Sequence, residues 1–168
     1  MHHQRKTHRS FVSYIDKSRD YYSAQGYKIP YAWAYHNETP FQQLTKKISE
    51  STLSIVTTAF FPKGQEPHGV PEITSKKPYA TPANPIPSKL YTDDVSWDKD
   101  ATDMDDLGSY FPLKALYQKN QEGIVGSVSK RFYGIPTDYS RRRTINDAKT
   151  ILNWCIEDHV DAVILIPV

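Results

Sequence analysis

The sequence predicts an α/β fold: a three-layer arrangement with a short parallel sheet between flanking helices and a helical N-terminal extension. Two observations carry this. Residues 53–60, 124–128 and 161–167 are nearly unbroken apolar and β-branched runs, the pattern of strands buried on both faces. Between them, apolar residues recur at helical spacing, so strands alternate with amphipathic helices.

The elements follow in chain order. Ser10 caps a segment in which Phe11, Ile15, Ser18 and Tyr22 share a face and Gly26 closes the helix. A tyrosine-rich linker spans residues 27–37. Thr39-Pro40 then opens a second helix carrying Phe41, Leu44 and Ile48. Residues 1–50 thus read as an extension, and residues 51–168 as the core. Residues 62–94 hold most of the chain's twelve prolines and no sustained period, which predicts a long loop. Pro112 starts a helix through Leu113, Leu116 and Tyr117 that ends at Gly123. Residues 131–143 read as a second loop. Residues 144–159 form the clearest helix: Thr144 and Asp147 approximate a capping box, and Ile145, Ala148, Ile151, Leu152, Cys155 and Ile156 make one apolar stripe.

Composition narrows the class. With 168 residues the chain suits one domain. Its +2 net charge, from 21 basic and 19 acidic side chains, is too balanced to imply a polyanionic partner, so no nucleic acid is expected. No apolar run approaches the roughly 18 residues of a membrane span. The opening MHHQRKTHRS is basic but lacks the apolar stretch of a secretion signal. One cysteine, Cys155, rules out an internal disulfide framework and a cysteine-rich metal site. A soluble, cytoplasmic protein is expected.

In parallel sheets ligands sit beyond the carboxyl ends of the strands. That end gathers Thr57-Thr58, the loop after Val128, and whatever follows Ile166. Only Pro167 and Val168 follow. A buried strand normally hands over to a covering helix, so either the last strand is an edge or the C-terminal part of the fold is missing.

Several stretches carry a family likeness. Asp103-Met104-Asp105-Asp106 with Tyr110-Phe111-Pro112-Leu113, then Glu122-Gly123-Ile124-Val125-Gly126, then Phe132-Tyr133-Gly134-Ile135-Pro136-Thr137, and finally residues 160–168, resemble the selenoprotein B family. That family comprises the substrate-specific subunits of glycine, sarcosine, betaine and D-proline reductases and their short relatives. Phe11-Val12-Ser13-Tyr14-Ile15-Asp16-Lys17-Ser18 through Tyr31-Ala32-Trp33-Ala34 resembles those relatives too. The likeness implies an oxidoreductase that cleaves a carbon–nitrogen bond of a small amine or amino acid reductively, served by a thiol-reducing partner protein. It also implies a selenocysteine or cysteine directly after the strand matching residues 161–168. Selenocysteine is encoded by UGA, so the nucleophile is expected immediately after Val168, with no catalytic residue inside the chain and the chain as given inactive. A genuine early stop is the alternative.

The residues themselves offer a modest set of binding candidates. The hydroxyls of Thr57 and Thr58 can hold a carboxylate at the end of the first strand, or serve only that strand. Tyr133, Gly134 and Thr137 make the best ligand loop, with a packed turn as the plainer reading. Lys130, Arg131, Arg141, Arg142 and Arg143 form the basic cluster, suited to a carboxylate or to a solvated helix start. Asp93, Asp94, Asp98, Asp100, Asp103, Asp105 and Asp106 lack the spacing of an oxygen-ligand loop, so they read as a solvated stretch with Asp103 and Asp106 available as helix caps. The family pattern has histidine and tyrosine opposite Ser96-Trp97-Asp98, and this chain departs from it. Cys155 reads as a buried small hydrophobe. No histidine pair has ligand spacing, so neither a metal nor any other cofactor is expected. The other function class is a non-catalytic small-molecule-binding or partner-interaction protein. An isomerase ranks last, because it needs two opposed thiols or an acid/base pair.

Overall fold

A computed structural model describes residues 14–28, 42–70, 73, 77–92, 103–135, 137 and 141–168. The chain divides into two units, residues 1–41 and residues 42–168. In the first, helix α1 (Tyr14–Ala24) ends where Gly26 adopts a φ of 86° and its N–H returns to the Ser23 carbonyl at 3.0 Å. The expected cap at Ser10, Phe11 and the Thr39-Pro40 helix start lie outside the described residues. Within residues 42–50 the expected helix is reduced to one 3-10 turn, Ile48–Glu50.

The second unit holds five strands: β1 (Thr52–Thr57), β2 (Tyr79–Pro82), β3 (Ser127–Val128), β4 (Arg131–Gly134) and β5 (Ala162–Ile166). It also holds helices α2 (Leu107–Tyr110), α3 (Leu113–Gln121) and α4 (Arg141–Glu157). β1 is central. Its first half pairs with β3 and its second half with β4 on one side, and β5 runs beside its length on the other; all three pairings are parallel. β2 adds antiparallel to β4, so the sheet is mixed and not purely parallel.

Side-chain alternation along β1 builds two cores. Leu53 and Ile55 face a large cluster with Leu113 and Leu116 of α3 and an aromatic group around Phe132. Phe111 lies 4.7 Å from Phe132 between ring centroids, and Tyr79 meets it edge-on at 6.2 Å. Val56 faces the opposite side, where Tyr133 packs on Ile151 and Cys155 of α4. Helices therefore cover both faces of the sheet, and the fold is three-layered α/β.

Three segments differ from expectation for physical reasons. Residues 131–134 form a strand, because Arg131 and Tyr133 alternate with Phe132 across the sheet. The long proline-rich loop contains β2, whose Pro82 sits at its end, opposite Arg131, where the missing N–H costs least. Asp106 caps α2 by accepting from the Gly108 N–H at 3.0 Å, so it does not cap the helix that follows Pro112.

α4 begins three residues before Thr144, which places Thr144 and Asp147 inside it. It ends in a turn in which His159 takes a φ of 53° and the Val160 N–H reaches back to the Cys155 carbonyl at 2.9 Å. Only Ile151 and Cys155 of its expected buried stripe are buried. Ile145, Leu152 and Ile156 are more than half exposed. β5, whose apolar run reads as buried on both faces with an edge position as the alternative, is an edge among the described residues, with Val163, Ile164 and Leu165 exposed.

Candidate functional site

The carboxyl ends of β1 and β5 meet α4 at a groove of about 520 Å³. Val56, Ile135, Ile151, Leu152, Cys155 and Leu165 supply most of its wall, with Thr57, Thr58 and Pro167 at one end. Of the three stretches expected to gather there, Thr57-Thr58 and the residue after Ile166 line the groove, whereas the residues directly after Val128 do not. The groove itself is apolar.

The threonine hydroxyls are already engaged. Thr57, fully buried, accepts from the Ala59 N–H at 3.1 Å. The Thr58 hydroxyl accepts from the Val168 N–H at 2.8 Å and donates to the Val168 carbonyl at 3.1 Å. The Thr58 N–H bonds the Ile166 carbonyl at 3.3 Å. Thr58 therefore fastens the residues after β5 to the end of β1.

Tyr133 and Gly134 lie in β4, ahead of the loop in which the sequence places them. The Tyr133 hydroxyl donates to Asp158 Oδ2 at 2.7 Å, at the far end of α4 from the groove's threonines. Gly134 opposes Tyr79 in the β2–β4 pair, where an added Cβ would sit 1.9 Å from the tyrosine ring. Its lack of a side chain serves ring packing. Thr137 is exposed, and Pro136 is outside the described residues.

A polar cluster missed at the sequence level joins β4 to α4. Asp158, whose side chain is wholly buried, receives Arg131 Nε at 2.6 Å and the Tyr133 hydroxyl, with Lys130 Nζ 3.3 Å from its other oxygen. Arg131 also reaches Glu157 at 3.2 Å. Burial pushes the Asp158 carboxyl up, but the hydrogen bonds from Arg131, Tyr133 and Lys130 outweigh it and hold the group below the usual aspartate range. The detectable signal was the i, i+2 spacing of Arg131 and Tyr133, which puts both on one face of a strand.

Cys155 sits between this cluster and the groove. Burial pushes its thiol up, and a hydrogen bond with Tyr133 only partly opposes that. It stays protonated at neutral pH and is a poor nucleophile. Among the described residues no group of three or more His, Cys, Asp or Glu side chains is placed to hold a metal ion. Nor is any helix among them long and apolar enough to cross a membrane.

Fold and groove define a three-layer α/β domain with an apolar cleft at the carboxyl edge of its sheet. Compared with protein-family models, with curated proteins and with solved structures, the chain finds no match.

Proposed function

We propose that this chain is a selenoprotein-B-like oxidoreductase subunit whose selenolate or thiolate is carried by a residue directly after Val168. The observation supporting this is the tether at Thr58. One hydroxyl, accepting from the Val168 N–H and donating to the Val168 carbonyl, holds that backbone at the carboxyl ends of β1 and β5, beside the groove. A residue attached there stands at the strand ends, where ligands of α/β sheets bind. In the reaction, the selenolate displaces the amine from the α-carbon, and the C–N electron pair leaves with the nitrogen. Two electrons and two protons from a dithiol partner then cleave the new bond between carbon and the chalcogen, which puts hydrogen on the carbon and returns the selenolate or thiolate. The ammonium substrate and the dithiol become the deaminated product, ammonium ion and a disulfide. Dithiol exchange fits a reducing, cytoplasmic compartment.

A second reading is favoured by the apolar lining: a non-catalytic protein that binds an apolar molecule or partner in the groove. The experiment that separates them uses protein purified from its native cells with dithiothreitol as donor and measures the amine released: ammonium from glycine, methylamine from sarcosine and trimethylamine from betaine. Release stoichiometric with disulfide formation is expected from a reductase. No release under any of these conditions favours the binding protein.

A further inference from the structure

We propose that an α-helix formed by the chain's own continuation packs beside α4, over the face of β5 that α4 leaves open. This rests on the reading that residues follow Val168, and deepens it by placing them. Three apolar side chains of α4, Ile145, Leu152 and Ile156, are 55%, 58% and 64% exposed. Steps of seven and four residues keep them within about 40° of one another around the helix. Their stripe lies apart from Ile151 and Cys155, which α4 buries against Val56 and Tyr133. Lys149 shares the flank, where its stem can lie over apolar surface with the ammonium at the rim. Register identifies the sheet face beside this stripe. Leu165 pairs with Val56 and Val163 with Ser54, so both stand on the α4 side of the sheet. Both are exposed, and both line the groove with Leu152. α4 therefore covers β1 and β4 and stops short of β5.

The extent of this surface selects a helix. Ile145 and Ile156 are eleven residues apart, about 16 Å along the axis of α4. A small ligand in the groove reaches Leu152 but neither end of the stripe. A strand added at the edge of β5 covers no part of α4. A helix of about three turns alongside α4 covers the stripe and the β5 face together, at the usual interaxial distance of roughly 8–10 Å. The hand of the connections selects the continuation as its source. From β4 the chain passes through α4 to β5, stepping across β1. Parallel crossovers are right-handed in about 98% of cases, so a further step in the same direction sets its helix on the same face as α4. Thr58 fixes where that step starts, at the carboxyl ends of β1 and β5.

Thiol accessibility tests this in two proteins: the 168-residue chain, and the longer product made with the codon after Val168 read as serine. Peptide mass spectrometry follows alkylation by N-ethylmaleimide at each introduced thiol. Leu152→Cys and Ile156→Cys, each in a Cys155→Ala background, should react as open thiols in the 168-residue chain. In the longer product both should slow at least ~10-fold, as packed sites do. Ala115→Cys, exposed on α3 at the other face of the sheet, should react alike in both proteins. Hydrogen exchange should show a protected run of about ten residues or more after Val168. Unchanged rates in the longer product would overturn the helix and leave the reductase reading standing. Slow reaction already in the 168-residue chain would overturn it by assigning the cover to another part of the chain. Slowing without a protected run would make the cover a loop, which also overturns it. A gene with no frame beyond Val168 would remove the helix and the reductase reading together.

Discussion

Asp158 is the residue on which the α4 side of the molecule most depends. Its carboxylate is wholly buried and satisfies the Tyr133 hydroxyl and Arg131 at once. Breaking a fully buried pair costs about 3–5 kcal/mol. Here Arg131 keeps 27% of its side-chain surface in solvent and has Glu157 as a second partner, so Asp158→Asn should cost about 2–3 kcal/mol at pH 7. The pH dependence carries the sign. Because the folded carboxyl titrates below its unfolded value of about 4, its contribution is complete above that pH and is lost as pH falls through the folded value. Urea unfolding at pH 7 and pH 3 should therefore show a smaller acid-induced loss of stability in Asp158→Asn than in the parent. Equal losses would mean that other carboxylates govern acid unfolding.

At the scale of elements, β1 was legible from its nearly unbroken apolar and β-branched run, and α4 from apolar residues recurring at helical spacing. β4 was not. Its alternation of Arg131 and Tyr133 with Phe132 resembles a polar loop until Asp158 is seen to receive both polar groups. β5 was legible as a strand, but its exposure was not, since composition records how apolar a segment is and not which neighbours cover it. The same holds for Leu152 and Ile156 of α4. Gly134 shows the converse: read as permissive for a ligand loop, it is a packing requirement between β4 and β2. Gly134→Ala should destabilise by about 1–3 kcal/mol or more, as overpacked cores do. In a Tyr79→Ala background, where the clashing ring is gone, the same substitution should cost much less. A double-mutant cycle by thermal denaturation checks this, and additive costs would show that the Tyr79 ring is not what excludes a Cβ.

For the molecule as a whole, residues 42–168 make a three-layer α/β body in which the candidate threonines, the segment after β4 and the residues after β5 converge on one cleft. Strand order placed Thr57, Thr58 and the residues after Ile166 at the carboxyl edge of the sheet, but Tyr133, Gly134 and Thr137, read from the sequence as a ligand loop, do not line the cleft. The sequence could not show that the cleft would be apolar, or that Thr58 would spend its hydroxyl on Val168. That tether is the centre of the functional proposal, which asks for a reactive chalcogen next along the chain. Intact-mass spectrometry of the protein from its native cells tests it most directly. A mass well above 19.3 kDa with a selenium isotope pattern, or a cysteine-bearing peptide continuing from Val168, is the expected result. A mass matching 168 residues, with no reading frame beyond them, would contradict it and leave a binding protein.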